Sequence, residues 1–217
     1  MAPVVQALAL GPMANFVYLV SCPVTRQCVV VDPAWDARAI ESAAAAADLS
    51  IVGLVCTHGH FDHINAVDDL LARHDLPVHL MAEEAERVEL RNENLVRHRG
   101  GDRLRLGAGE LELLHTPGHT PGSLTVRLPE AIVTGDTLFV GGCGRCDLVG
   151  GDPVVMFDTL QRLCRGLPPE TQVFPGHDYG ATPSSRLRDE LRSNPYLQHG
   201  TLAQFVAHRM APRKPAS

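Results

Sequence analysis

Short apolar runs rich in β-branched residues recur along the chain, separated by longer amphipathic stretches. The short runs predict β-strands, because β-branched side chains favour extended backbone and the runs are too short for helices. They span residues 16–20, 28–32, 51–57, 77–81, 111–115, 123–128, 131–134 and 172–174. The amphipathic stretches predict helices over residues 36–49, 62–74, 83–96, 153–164 and 184–193.

The order of these elements predicts the fold class. Strands come first in pairs and then alternate with helices, which favours an α/β fold of two mixed sheets packed together with helices outside. No Ser/Gly-rich linker or shift of composition divides the chain, so we expect one domain over residues 1–210. The last residues, 211–217, are proline-rich and basic, and we expect a frayed tail there.

Composition and charge narrow the classes of function. The chain has 217 residues, of which 45% are hydrophobic, and this is enough for a packed core. A net charge of −6 without a Lys/Arg-rich run argues against nucleic acid or an anionic membrane surface as partner. The first twenty residues have no basic segment and are interrupted by Gly11-Pro12, unlike a signal peptide or spanning helix, so we expect a cytoplasmic protein.

The six cysteines do not form the framework of a small secreted protein. Cys28 and Cys56 lie in apolar strand-like runs and are predicted to be buried thiols. Cys143 and Cys146 form a single CxxC in a glycine-rich loop. The pair could be a redox centre or half of a zinc site, but a packing role is favoured because no second CxxC accompanies it.

The strongest candidate for chemistry directly follows the predicted strand over residues 51–57. Three imidazoles and one carboxylate lie together in the segment Thr57-His58-Gly59-His60-Phe61-Asp62-His63. Imidazole suits zinc and iron, a carboxylate adds negative charge, and glycine allows a tight turn between ligands. A metal-free histidine cluster or an expression tag would lack the interleaved aspartate and the preceding strand. The segment therefore predicts a metal site, and Asp62 is the predicted N-cap of the next helix.

Three more predicted strands lead into a glycine and a side chain that can bind metal. These side chains are His119, Asp136 and His177. Strand ends held by a rigid sheet can converge on one point, so together with the first cluster they form a set of five histidines and two aspartates. We expect His115 to support the loop of His119. The other histidines are predicted to be solvated or packed, without paired carboxylates: His74, His79, His98, His199 and His208.

With these motifs the chain resembles the metallo-β-lactamase superfamily. The resemblance rests on the His-x-His-x-Asp-His motif and on the later His, Asp and His in the same order, and it covers nearly the whole chain. It implies an αββα sandwich with a dinuclear site at one edge, holding two divalent ions, zinc or alternatively iron. The ligands that it implies are His58, His60 and His119 for one ion, Asp62, His63 and His177 for the other, and Asp136 as the bridge.

Within the superfamily, three segments are similar to glyoxalase II and persulfide dioxygenase: residues 134–139, 142–145 and 176–179. Both relatives act on glutathione derivatives, so the resemblance implies that Arg145 and Tyr179 contact a small-molecule thiol carrier. A guanidinium can bind a carboxylate through two hydrogen bonds, and a phenol can donate one. Only about forty residues follow His177, so we do not expect the helical domain with which the longer glyoxalase II enzymes continue. Asp147 and the pair Asn194-Pro195 are more similar to the dioxygenase.

Three functions follow as hypotheses. The predicted function is hydrolysis of a thioester of the hydroxyacylglutathione type by a hydroxide that bridges the metals, with Asp62 and Asp136 as catalytic residues. The alternative is a persulfide dioxygenase with a single Fe(II) held by His58, His119 and Asp136. A non-catalytic sensor is disfavoured, because a structural role needs no open coordination position. The acyl group, the carrier thiol and the oligomeric state stay open.

Overall fold

The computed structural model describes residues 2–90 and 92–211 and confirms the predicted α/β fold. Two six-stranded mixed sheets pack face to face, and helices pack on the outer face of each sheet. One domain over residues 1–210 stays a prediction. Of the predicted frayed tail, residues 212–217 lie outside the described residues.

The first sheet follows the chain in order. Its strands are β1 (Val4–Leu10), β2 (Asn15–Ser21), β3 (Gln27–Val31), β4 (Ser50–Val55), β5 (Val78–Met81) and β6 (Leu95–His98). The first three strands are antiparallel and the last four, beginning with β3, are parallel. Parallel neighbours need crossover connections. These connections contain the helices α1 (Ala37–Ala46), α2 (Phe61–Ile64), α3 (Val67–Leu71) and α4 (Ala82–Ala85).

The second sheet has a different spatial order from its chain order. Its strands are β7 (Asp102–Leu106), β8 (Gly109–His115), β9 (Leu124–Arg127), β10 (Ala131–Gly135), β13 (Gln172–Pro175) and β14 (Ser185–Arg186), and a short hairpin consists of β11 (Leu138–Phe139) and β12 (Gly142–Cys143). The spatial order is β14-β13-β10-β9-β8-β7, in which β10 and β13 are the parallel pair. Helix α5 (Pro153–Arg165) connects that pair. Helices α6 (Leu187–Ser193) and α7 (Leu202–Arg209) follow β14.

The space between the sheets is filled by apolar side chains of both. Tyr18, Val20, Leu113 and Val126 lie there, each at most 1% exposed. Burial of one large apolar side chain stabilises a fold by roughly 1.5–3 kcal/mol. The two sheets are therefore held rigidly against each other, and the loops that leave their strand ends start from fixed positions.

Two predicted helix starts are confirmed by their caps. Asp36 accepts a hydrogen bond from the backbone N–H of Ala39 at 2.9 Å and begins α1. Asp152 accepts from the backbone N–H of Val154 and Val155 at 2.8 and 3.1 Å, ahead of Pro153 at the first helical position of α5. Aspartate at the N-cap satisfies backbone donors that the helix itself leaves unpaired.

The helix predicted over residues 83–96 is wrong. Among the described residues of this stretch, helix is confined to α4 and a short 3-10 turn at Asn92–Asn94, and Leu95–His98 forms β6. The acidic residues of this stretch favour helix, but strand pairing with β5 decides its end. Glu84 is also buried, so its side chain is not on the solvated face that a surface helix would need.

The helix predicted over residues 62–74 is divided, and its predicted N-cap is wrong. His60 is the N-cap of α2, because Asp62 lies inside the helix and turns towards Asn15. Asn65 ends α2 and accepts a hydrogen bond from the backbone N–H of Trp35 at 2.6 Å. The helix predicted over residues 184–193 begins later than expected, because Ser185–Arg186 pairs with β13. The elements that the pattern missed are β1, β6, β7, β11, β12, β14 and α7.

Among the described residues, no helix is both long enough and apolar enough to cross a lipid bilayer.

Candidate metal centre

The seven predicted metal ligands come together at one edge of the two sheets. They leave the ends of β4, β8, β10 and β13, with three of them on α2 or directly before it. The sheets are joined at this edge, since the backbone N–H of Phe16 donates to the carbonyl of Gly176 at 2.9 Å. Ligands far apart in sequence are thus placed on one rigid frame.

The first group consists of His58, His60 and His119. One nitrogen of each ring lies within 4.8 Å of the others. Nδ1 of His60 and Nε2 of His119 are only 2.9 Å apart. His58 and His119 are buried, and His60 lies partly exposed towards the pocket.

The second group consists of Asp62, His63 and His177, whose ligand atoms also lie within 4.8 Å of one another. The Nε2 atoms of His63 and His177 are 3.1 Å apart. Oδ2 of Asp62 lies 3.6 Å from Nε2 of His63 and 3.4 Å from Nε2 of His177. This carboxylate faces the second group only.

Asp136 lies between the two groups. Its Oδ1 is 3.4 Å from Nε2 of His63 and 3.5 Å from Nε2 of His177. Its Oδ2 is 3.5 Å from Nε2 of His119, which belongs to the first group. One carboxylate thus reaches both groups, and this is the position that a bridging ligand requires.

Hydrogen bonds on the far side of the rings set their orientation. Nδ1 of His119 donates to the carbonyl of Arg145 at 2.7 Å, and Nδ1 of His177 donates to the carbonyl of Met13 at 2.9 Å. Nδ1 of His63 lies 2.9 Å from Oδ2 of Asp32. With the proton on Nδ1, the Nε2 lone pair of each ring points into the centre, as metal ligation needs.

Two buried atoms at the centre lack a hydrogen-bond partner, and both suit a metal ion. They are Nε2 of His58 and Oδ1 of Asp136. Buried polar atoms are normally satisfied, because an unpaired one costs about 1–3 kcal/mol. Both point among nitrogen and carboxylate donors, so a divalent ion such as zinc or iron would satisfy them.

The protonation states of His58 and His60 suit metal binding, whereas the carboxylates around His63 favour its protonated form until an ion takes the place of the proton. Burial, reinforced by His63 and His119, holds the pKa of His58 well below its usual value. Burial likewise lowers the pKa of His60 to about 4. For His63, burial alone would lower the pKa, but the carboxylates of Asp136, Asp32 and Asp62 outweigh it and raise the pKa to about 9. His58 and His60 are therefore neutral lone-pair donors near neutral pH.

Glycines allow the close approach of the loops. A side chain at Gly176 would place its Cβ 2.5 Å from Oδ1 of Asp136 and 3.0 Å from Cε1 of His63. A Cβ at Gly59 would collide with Val88 and come within 2.9 Å of Oε1 of Glu84. Both positions thus require the absence of a side chain.

Sequence reasoning missed Asp32, which supports the centre from beneath. It is 2% exposed and accepts from the backbone N–H and the hydroxyl of Thr57, both at 2.7 Å, besides its contact with His63. Asp32 also falls in a metal-competent group with His58 and His63. Its oxygens already accept these hydrogen bonds, so we assign it to orienting His63. Its position at the end of a predicted strand was the available signal.

Two further residues were missed. Glu84 is 3% exposed and accepts from the backbone N–H of Gly59 at 2.7 Å and from the hydroxyl of Thr120 at 2.8 Å. It thereby joins the loop of His60 to the loop of His119. Asn15 donates to Oδ2 of Asp62 at 3.0 Å and orients that carboxylate. No local sequence pattern marks either residue.

The two predicted substrate contacts lie at the mouth of the centre. Five of the seven predicted metal ligands line a pocket of about 380 Å³, together with Arg145 and Tyr179. The ring of Tyr179 stacks on His177 with centroids 4.5 Å apart and is 59% exposed. The guanidinium of Arg145 is bound by Asp147 through two hydrogen bonds of 2.8 Å each. Asp147 therefore competes with any carboxylate that Arg145 would bind.

The remaining histidines and cysteines follow the predictions in part. His115 contacts the carbonyl of Pro121 at 2.8 Å, which places it against the loop of His119. The expectation that the other histidines lack carboxylates is wrong for His74, which contacts Glu41 at 2.7 Å, and for His98, which lies 3.3 Å from Asp102. The described cysteines are all free. Burial raises the pKa of Cys143 and of Cys146 to about 12, so both are neutral thiols near neutral pH.

The chain belongs to the metallo-beta-lactamase superfamily, whose family description matches residues 10–177. It is 32% identical over 195 residues to the "Probable polyketide biosynthesis zinc-dependent hydrolase PksB" of Bacillus subtilis, covering 90% of this chain and 87% of that protein. It is 36% identical over 167 residues to the hydroxyacylglutathione hydrolase of Rhodospirillum rubrum, covering 76% of this chain and 62% of that protein.

The fold is also similar to that of a solved structure. The crystal structure of ETHE1 from Myxococcus xanthus superposes with a TM-score of 0.86 at 31% identity, covering 98% of this chain and 93% of that one. The fold class and the family expected from the motifs are thereby confirmed. The relatives are consistent with the glyoxalase II and persulfide dioxygenase branch, and they are named as hydrolases in two cases.

Proposed function

We propose that this protein is a metal-dependent hydrolase that cleaves a thioester of the hydroxyacylglutathione type. The observation that carries the proposal is one carboxylate, Asp136, placed between two His-containing groups at the bottom of an open pocket. The names of two relatives, a zinc-dependent hydrolase and a hydroxyacylglutathione hydrolase, support it.

The residues of the centre have distinct roles in this proposal. The first group would hold one ion and the second group would hold the other. Asp136 would bind both ions. When bound, two divalent ions supply a Lewis acid and a water of lowered pKa. Asp62, oriented by Asn15, and Asp136 keep the centre negative enough to retain two dications.

The pocket suits a leaving group that needs no proton. Apart from the proposed metal ligands, the polar side chains that line it are Arg145 and Tyr179. The guanidinium of Arg145 keeps its protons near neutral pH, and the hydroxyl of Tyr179 already donates to the carbonyl of Met13 at 3.4 Å. A thiolate leaves without protonation far more readily than an amine does. A thioester is therefore a better match to this pocket than an amide.

The persulfide dioxygenase remains the second candidate, for one specific reason. His58, His119 and Asp136 provide two histidines and one carboxylate, which is the ligand set of non-haem Fe(II) oxygenases. Asp147 and Asn194, which suggested this reading in the sequence, have structural partners: Asp147 binds Arg145, and Asn194 donates to the carbonyl of Gly142 at 2.9 Å. These partners favour neither enzyme.

Cleavage without oxygen tests the class of reaction. We expect protein reconstituted with zinc to hydrolyse S-lactoylglutathione under argon, because hydrolysis consumes only water. Hydrolysis is measured as the loss of thioester absorbance. Dioxygenase activity is measured separately, as oxygen uptake when glutathione persulfide is added. An inert thioester under argon, combined with oxygen uptake by the iron-loaded protein on persulfide, would replace the hydrolase with the dioxygenase.

The pair of Arg145 and Asp147 predicts opposite effects of two substitutions on substrate binding. We expect Arg145→Ala to raise KM for an anionic carrier by about three- to tenfold with little change in kcat, because a remote contact contributes equally to ground and transition states. Asp147→Asn should lower KM, since it releases the guanidinium. Steady-state kinetics on S-lactoylglutathione measure both. If Asp147→Asn raises KM as Arg145→Ala does, the pair orders the loop rather than binding substrate.

A further inference from the structure

The metal pocket continues into a cleft on each side of Asp136. One cleft, of about 520 Å³, shares Phe139 and Tyr179 with the metal pocket and extends to Tyr196 and Arg209. The other, of about 370 Å³, shares His60 and Leu148 with the metal pocket. The cleft of Arg209 adjoins the ligand group of His177, because Tyr179 stacks on His177. The cleft of Leu148 adjoins the ligand group of His58, His60 and His119, because His60 lines both.

A thioester has two arms, and the proposed function assigns one of them. Arg145 and Tyr179 are the proposed carrier contacts, and Tyr179 forms the wall shared with the cleft of Arg209. The carbonyl must lie at the metal ligands between the clefts. The acyl arm therefore has the cleft beside His60 and Leu148 available to it. We call this space the acyl cleft.

The walls of the acyl cleft indicate the chemistry of its occupant. Val88, Leu148 and Val149 contribute apolar surface, and Val149 is 85% exposed. Val88 packs directly against Gly59, so the floor is close to the His60 loop. Several apolar side chains that line one concave surface together, rather than a single exposed one, mark a ligand-binding groove.

The charged groups around this cleft do not oppose an apolar occupant. The carboxylate of Glu84 is fully engaged by Gly59, Thr120 and Gly122. Arg87 lines the cleft too, and its guanidinium reaches across to Gly150. Its aliphatic stem can cover a hydrocarbon chain while the charged end stays in water.

We propose that the acyl cleft makes thioesters with an apolar acyl chain of several carbons better substrates than thioesters with a short polar acyl group such as lactoyl, which the protein still cleaves. This inference rests on the proposed thioester hydrolase and adds the class of acyl group. Its physical basis is the removal of hydrocarbon from water against Val88, Leu148 and Val149.

Chain-length kinetics test the inference. With acetyl-, butanoyl- and hexanoylglutathione, we expect kcat/KM to rise about two- to fourfold for each added methylene. In Val149→Asp the ratio of kcat/KM for hexanoylglutathione to kcat/KM for acetylglutathione should fall at least about fivefold. The reason is that the new carboxylate beside the acyl chain must be desolvated. Val24→Asp is the matched control, since Val24 is also exposed, at 56%, in a turn at the far end of β2. Its ratio should equal that of the unaltered protein.

Binding of free carboxylates gives a readout without turnover. Calorimetry should show hexanoate binding at least tenfold more tightly than acetate, with the difference reduced in Val149→Asp and kept in Val24→Asp. A flat dependence on chain length, or succinyl preferred over hexanoyl through Arg87, would overturn the inference. If no acylglutathione is cleaved while the hexanoate preference persists, the thioester function fails and the apolar cleft stands. If the protein neither cleaves acylglutathione nor prefers hexanoate to acetate, the inference about the acyl cleft fails as well.

Discussion

Asp136→Ala is expected to lose both metal ions, whereas Asp62→Ala is expected to keep about one ion per chain. Asp136 faces the histidines of both ligand groups, with Oδ1 3.4 Å from His63 and Oδ2 3.5 Å from His119. Asp62 faces His63 and His177 of the second group only. Removal of the shared carboxylate should therefore weaken both sites, while removal of Asp62 weakens one.

Elemental analysis of the purified variants, together with kcat/KM on the thioester, measures this difference. Loss of an outer partner of a metal ligand already costs about 10–100-fold, so we expect Asp136→Ala to lose more than 100-fold in activity. Asp189→Ala is the control, because this partly exposed aspartate lies on α6 away from the centre. Equal metal content in Asp136→Ala and Asp62→Ala would remove the basis for a bridging role.

The clustering of the seven candidate metal ligands could be predicted from sequence because their signal is local. Each lies in a short motif where a strand ends, a glycine permits a turn and a metal-competent side chain follows. The residues that orient the ligands carry no such signal. Glu84 lies on a four-residue helix, and its importance depends on Gly59, Thr120 and Gly122, which only the folded chain brings together.

The fold was predictable where apolar runs are buried on both faces, as in β2, whose seven residues are all buried. It was not predictable where an element is exposed and depends on a neighbour. β1 is an edge strand without a buried residue, and β6 is held by pairing with β5. Local propensity favours helix in the acidic stretch before β6, and tertiary pairing overrides that propensity.

Arg145 illustrates the limit of prediction from a motif. Its place after the Gly-Cys-Gly turn indicated a substrate contact. In the fold its backbone carbonyl accepts from His119, and its guanidinium is paired with Asp147. The same residue thus orients a proposed metal ligand through its main chain and lines the pocket with its side chain. A substitution of the side chain leaves the first role in place.

Asp32→Ala is expected to lower the free energy of unfolding by about 3–5 kcal/mol, because removing one partner leaves buried groups unpaired. Asp32 is 2% exposed and accepts three hydrogen bonds, from the backbone N–H of Thr57, the hydroxyl of Thr57 and Nδ1 of His63. In the variant these donors would lie in a buried site without an acceptor. Asp32→Asn keeps the side-chain volume and one acceptor oxygen, so it should lower the free energy of unfolding by less than Asp32→Ala does.

Denaturant unfolding of the metal-free proteins isolates this structural effect. The matched control is Asp36→Ala, which removes an exposed N-cap of α1 and should cost only about 0.5–2 kcal/mol. Metal titration of the folded variants then measures the second role of Asp32. Without its carboxylate the His63 ring is free to rotate or change tautomer, so affinity at the second group should fall about 10–100-fold. A loss of stability no greater than that of Asp36→Ala, with metal affinity unchanged, would show that Asp32 does not orient His63.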